Sequence, residues 1–286
     1  MAVTVISLGP LLDLDLIEPG FDASTFSKNR ERLLTYDVAR IVFDAVVAEA
    51  NREHLISRDR FRVDGTMIAA AASMKSVRKR DGDPTPPPDD PGNPDVSFRN
   101  ERRTNATHAS TTDPEARLYR KGKGQAATLA FLGHTLMENR HGLLVDITVT
   151  AATGTAERDA ALAMVDRMRD RGGQPVSVGA DKGYDTQGFV AALTDRDIQP
   201  HLAQNAYDTG KARRSSAVSD DVAATPEYAI SQRKRKLIEE GFGWMKTIGG
   251  LRRTRYRGIA RTQMSAYLTA TAYNLLRISR LLPVGA

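Results

Sequence analysis

FRVDGTMI, residues 61–68, alternates apolar and polar side chains and is rich in β-branched residues, which predicts a strand ending near Asp64. Upstream, residues 22–57 read as helical, with Ser24 a candidate cap and Leu33, Val38, Ile41, Val42, Ala45 and Val46 at helical spacing. Downstream, Ala127–Met137 and Leu143–Thr150 read as two strands joined into a hairpin through Asn139, Arg140, His141 and Gly142. Thr155–Arg171 follows as a helix with a stripe of Ala161, Met164, Val165 and Met168. Val176–Gly179 is a short strand running into ADKGYD, Gln187–Arg196 a helix and Ile198–Ala203 a strand. Pro226–Thr247 and Arg261–Leu282 read as two closing helices, the second with Tyr267, Ala270, Leu275 and Ile278 as its core stripe. Three strands followed by alternating helices and strands imply an α/β fold, a mixed sheet with helices on its faces. Residues 76–124, with the proline-rich Pro84–Pro94, and 205–226 read mostly as loop. The expected division is a partial helical region over 1–58 and one α/β domain over 59–286.

The 286 residues are 41% hydrophobic and 27% charged, ordinary for a chain that folds around a core. With no cysteine, disulfides, thiolate metal sites and a cysteine nucleophile are excluded, and the composition suits a reducing cytoplasm. Val3–Leu8 is short, lacks a basic flank and precedes Asp13 and Asp15, so it reads poorly as a secretory signal. No apolar run approaches the roughly 20 residues that span a bilayer. The net charge is +6, yet Arg233–Arg261 alone holds ten Lys or Arg against two Glu, which leaves the other residues net acidic. One basic segment therefore points to an anionic partner.

Asp64 in VDGT and Asp181 in GADKGYD are expected where strands meet loops, and Gly65, Gly179 and Gly183 beside them allow sharp turns and close approach. Glu239 is an acid within a basic helix. Three carboxylates from distant positions suit hard divalent cations, which take oxygen ligands and can act in pairs on a phosphodiester. That reading expects the three side chains to meet within a few ångströms. The plainer readings are a turn or capping role for each aspartate and an intrahelical ion pair between Glu239 and Arg235.

The strings VDGT, FRNERRTNATHASTTDPEARLYRKGKG, LGHTLMENRHGLLVDITVTAATGTAER, GADKGYD and QRKRKLIEEGFGWMKTIGGLRRTRYRG occur in that order. Together they resemble the DDE transposases of bacterial insertion sequences, of the IS-four and IS-five kind, from about Ser24 to Leu282. The resemblance implies an RNase H-like catalytic domain that depends on Mg²⁺ or Mn²⁺ and cleaves and transfers DNA strands at the terminal repeats of an element into target DNA. It places the catalytic, metal-binding set on Asp64, Asp181 and Glu239, with Glu240 as rival for the third place. Arg235, Glu239 and Lys246 match the signature Tyr-x2-Arg-x3-Glu-x6-Lys, whereas Gln232 stands at its tyrosine. Members usually carry a longer helical region upstream, so the resemblance implies a truncated copy, and it implies a homo-oligomer. A related nuclease without strand transfer, and an inactive truncated transposase that only binds DNA, are the competing readings.

Arg235, Lys246, Arg252, Arg253, Arg255, Lys182, Arg120, Lys121 and Lys123 are candidate DNA contacts, with Arg117 beside them, and Tyr184 is a candidate for stacking on a nucleotide or for packing. His108 and His134 could approach the phosphate or activate water, but the structural reading is preferred for both; Trp244 reads as a core or subunit-contact residue, and Asp146 and Asp185 as carboxylates not essential to the chemistry.

Overall fold

A computed structural model describes residues 23–80, 96–98, 101–120, 122, 124–209, 213–234 and 236–282. The helical prelude forms α1 (Ala23–Thr35) and α2 (Val38–Arg52), and the first strand, β1, spans Arg60–Ala69. Asp64 therefore lies in mid-strand and not at a strand end, paired across to Thr135. Short strands β2 (Val77–Lys79), β3 (Val96–Phe98), β4 (Glu101–Arg103), β5 (His108–Ser110) and β6 (Arg117–Tyr119) punctuate the stretch read as loop. The Pro84–Pro94 run lies outside the described residues. The expected hairpin is β7 (Thr128–Glu138) and β8 (Leu144–Ala151). Its turn is held by the buried Glu138 carboxylate, which accepts from the His141 amide at 2.8 Å.

After α3 (Ala156–Asp170) come β9 (Ser177–Ala180), α4 (Gln187–Thr194) and β10 (Gln199–Leu202). The segment read as a second loop contains β11 (Tyr207–Asp208), β12 (Arg213–Arg214) and the single turn α5 (Asp220–Ala223). The main sheet runs β10-β9-β1-β7, with β8 and β6 sharing the far edge of β7. β9 and β10 are parallel to β1's direction while β7 is antiparallel to it, which makes the expected mixed sheet.

Alternation of side chains along β1 divides two cores. Phe61 and Val63 join Met164, Val165 and Leu193 on the α3 face, whereas Ile68 joins Phe131, Ile147, Ile238 and Met245 on the opposite face. The closing helical region is three helices, α6 (Pro226–Arg233), α7 (Lys236–Thr247) and α8 (Ile259–Leu281), not two. The carbonyl of Ser231, which an unbroken helix would offer four residues on, accepts from the guanidinium Nη2 of Arg62, itself only 1% exposed. In α8 the buried stripe is Thr262, Ala266, Ala270, Asn274 and Ile278, spaced four apart. Leu275 is 52% exposed, because five residues from Ala270 carry it about 140° off that stripe. Tyr267 is only partly buried, and Trp244 packs edge-on against Tyr273 with centroids 5.6 Å apart.

Asp146 is a structural carboxylate. It sits 3% exposed between Arg167, whose Nη2 lies at 2.9 Å, and Arg171, whose Nη2 lies at 3.0 Å, and so ties β8 to α3. Asp146→Ala leaves two guanidiniums facing each other without the acid between them. It is expected to cost about 3 kcal/mol, read as a lower urea midpoint at unchanged m-value, and an unchanged midpoint would reject the role.

Candidate active site at the open edge of β1

β9 is too short to follow β1 to its end. The parallel pairing stops at Arg62 with Gly179, and the next contact on that edge is the bridge of Ala69 with Arg253. Among the described residues no strand covers residues 63–68 of β1 on that side. The Gly65 amide, left facing this gap, donates to Oδ1 of Asp64 at 2.7 Å. Asp181 follows the last residue of β9 and caps a short turn, its Oδ1 accepting from the Gly183 amide at 2.8 Å. Each aspartate thus turns one oxygen to the backbone, so that Oδ2 is the oxygen it can offer a ligand.

Asp64, Asp181 and Glu239 line one cavity of about 610 Å³ together with Glu157, Lys246, Tyr119 and Phe242. A smaller recess of about 130 Å³ behind it brings Arg62 against Asp64, Asp181 and Glu239. A separate cavity of about 340 Å³ between α2 and the end of α3, walled by Val47, Ile56 and Met168, contains none of the candidate residues. Glu239 projects from the first turn of α7, while Glu240 is 67% exposed and stands 4.0 Å from Arg277.

The three carboxylates share the cavity without the expected convergence to a few ångströms. Among the described residues, no group of three or more His, Asp or Glu side chains is assembled so that it could hold a metal ion as it stands. Burial pushes the Asp64 carboxyl up to about 7, opposed by the Gly65 amide and the Arg62 guanidinium and reinforced by the charges of Asp181 and Glu157. Burial, then Asp181, also raises Glu157. The donor set nevertheless suits a hard cation, being all oxygen and short of positive charge. One buried polar atom adds to this: the Tyr184 hydroxyl, raised first by burial and then by the charges of Glu157, Asp64 and Asp181, makes no hydrogen bond among the described residues.

The Asp64 shift carries a pH signature. Its folded pKa lies above the ordinary 3.8, so the folded chain holds the proton more tightly than the unfolded chain between about 4 and 7. Stability of the metal-free protein should therefore fall as pH rises through that window and then level off. Asp64→Asn should remove on the order of 2 kcal/mol of that dependence between pH 5 and pH 8. Urea titrations at the two pH values check it, and parallel behaviour of parent and variant would refute it.

The other candidates separate. Lys182, Arg252, Arg253 and Arg255 are exposed, and Lys246 is half-buried in the cavity wall. The arginine strip is laid against the outer end of β1: the Ala69 amide donates to the Arg252 carbonyl at 3.1 Å and the Thr254 amide to the Ala69 carbonyl at 2.9 Å. Arg120 is half-buried, and its Nε finds no hydrogen-bond partner among the described residues. Arg235, Lys121 and Lys123 lie outside the described residues. Gln232, at the signature's tyrosine, ties α6 to β10 by donating to the His201 carbonyl at 2.7 Å.

Tyr184 requires correction as a nucleotide-stacking candidate. It is 1% exposed and packs on Phe189 at 5.4 Å, because the turn after Asp181 folds the ring inward over α4. His134, lowered to about 4 by burial, is a neutral core residue sharing a 2.8 Å hydrogen bond with Thr150. His108 is buried and bonds Thr107 at 2.8 Å. Asp185 accepts from the amides of Asn205 at 2.6 Å and Ala217 at 2.8 Å, pinning the following loop. Burial works to raise Asp185, yet these amides and Ser216 hold it below the ordinary carboxylate range.

Two residues of the site escaped sequence reading. Glu157 looks like an acid favouring a helix N-terminus, and Arg62 looks like an outward residue of an alternating strand. Their only signal is adjacency: Arg62 precedes Asp64 by two, and Glu157 opens the helix after the hairpin.

Among the described residues no helix is long and apolar enough to cross a membrane. A comparison with curated protein sequences finds no match. Among solved structures, a chain of the simian T-cell lymphotropic virus intasome in complex with PP2A regulatory subunit B56 gamma is similar at 12% identity and a TM-score of 0.33. That similarity covers 81% of this chain, which spans about half (51%) of the chain it matches. The Mos1 transposase paired-end complex with left transposon end is similar at 10% identity and a TM-score of 0.25, over 95% of this chain and 74% of that one. The Mos1 mariner paired end complex with Mn is similar at 12% identity and a TM-score of 0.26, with the same coverage. The transposase DDE domain family matches residues 103–275, a span that contains Asp181 and Glu239 and begins downstream of Asp64. By that match over more than half its length, the chain belongs to the DDE transposase family.

Proposed function

We propose that the protein cuts and joins DNA at the ends of a bacterial insertion sequence, using divalent Mg²⁺ or Mn²⁺ held by Asp64, Asp181 and Glu239. The supporting observation is that these carboxylates, brought from β1, the end of β9 and the first turn of α7, line one cavity together with Lys246, while the exposed Arg252, Arg253 and Arg255 belong to a segment laid against the outer end of β1. When bound, the cations supply Lewis-acid activation at the scissile phosphate. The residues themselves do the positioning. Asp64 and Asp181, each fixed by a backbone amide, present an oxygen into the cavity, and Glu239 faces them from α7. Lys246, Lys182 and the arginine strip hold the phosphate backbone by charge, without reading its sequence.

The test supplies duplex DNA carrying the element's own flanking ends, with Mn²⁺, and follows both cleaved ends and joined products. Joined products support transposition, cleavage alone leaves a nuclease, and binding without cleavage leaves a DNA-binding protein. Replacing Arg252, Arg253 and Arg255 together with Gln should lower DNA affinity and reduce the slope of log affinity against log salt by up to about 2.7. An unchanged slope would remove the strip from the interface.

A further inference from the structure

The α3 side of the cavity contains a carboxylate outside the three already assigned. Glu157 lies in the first turn of α3, on the face of the sheet opposite α7, yet it lines the same cavity as Asp64, Asp181 and Glu239. It reaches there over Gly65. A Cβ built at Gly65 would lie 2.6 Å from Glu157 Oε1, closer than real contacts allow, so the missing side chain is what admits the carboxylate beside Asp64. The helix end is also tethered: Arg158 Nη1 donates to the Gly183 carbonyl at 3.3 Å, joining the start of α3 to the turn that Asp181 caps.

A second observation is independent of the acids. Tyr184 is 1% exposed, and its hydroxyl is buried without a hydrogen-bond partner among the described residues. Burial first, and then the charges of Glu157, Asp64 and Asp181, raise that hydroxyl well above its ordinary value, so the three carboxylates lie near enough to act on it. A buried hydroxyl without a partner is costly unless water or an ion's hydration shell completes it.

We propose that Glu157 is a fourth metal-binding carboxylate, which holds a divalent cation with Asp64 and Asp181 on the α3 side of the cavity while Glu239 faces them from the α7 side. This rests on the functional reading above. Gly65 in VDGT then has a defined purpose, since any side chain there displaces Glu157.

The experiment titrates Mn²⁺ alone into the full chain without DNA, following free Mn²⁺ by its electron paramagnetic resonance signal. Glu157→Gln is expected to weaken binding about tenfold or remove one bound ion, since each lost charged oxygen ligand lowers affinity. Gly65→Ala should do the same by pushing Glu157 aside, and the double variant should be no worse than Glu157→Gln alone. Thermal melts of the metal-free variants establish that each folds. If Glu157→Gln and Gly65→Ala both titrate like the parent while Asp181→Asn loses binding, Glu157 is not a ligand and the three-carboxylate reading stands. If Asp181→Asn and Glu239→Gln also titrate like the parent, the functional reading fails together with this one.

Discussion

Asp181→Asn is expected to abolish metal-dependent DNA cleavage, by at least about a thousandfold, while the protein stays folded and still binds DNA. The residue sits where β9 ends, exposed to the cavity, and its one described hydrogen bond is the local cap to Gly183. An asparagine keeps that cap, because its side-chain oxygen still accepts from the same amide. What it removes is negative charge in a cavity already shared with Asp64 and Glu157. Nonspecific DNA affinity should accordingly hold or rise slightly, as one charge that repels phosphate disappears. Cleavage of labelled duplex DNA with Mn²⁺, alongside a binding titration, checks both halves. Parental cleavage by the variant would overturn the site.

The second large effect is a contrast between neighbours. Glu239→Gln is expected to reduce cleavage by about a hundredfold or more, whereas Glu240→Gln should stay within about threefold of the parent. Adjacent helical positions point roughly 100° apart, so one of the two can face the cavity. That one is Glu239; Glu240 stands across from Arg277 on the exposed side. An exposed ion pair of that kind is worth under about 1 kcal/mol, so its loss should barely register in stability or rate. The reverse ranking would move the third carboxylate to Glu240.

Much of this was legible in the chain because it is local. The hairpin, the helix after it and the short apolar strand running into Asp181 announce themselves through periodicity, and each lies within a few residues of its reading. What the residues did not disclose depends on partners. Asp64 reads as a strand end, but its strand continues to Ala69, and the apparent end is where the neighbouring β9 gives out. No property of residues 61–68 encodes the length of another strand. The last turn of α6 likewise meets a remote partner, since the Ser231 carbonyl is engaged by Arg62, 169 residues away. Tyr184 and Leu275 fail for a simpler reason. Composition tells which side chains can be buried, and only the packed helix tells which are.

The uncovered stretch of β1 also bears on unwanted strand pairing between copies. A strand with bare amides and carbonyls is a template on which another chain can lay a strand and begin to aggregate. Here the template is stopped at its outer end by the exchange of Ala69 with Arg252 and Thr254, in a segment whose exposed arginines would oppose a like-charged second copy. The same arginines that would attract nucleic acid thus guard the sheet. Stripping their charge should make solutions of the protein more prone to self-association at low salt.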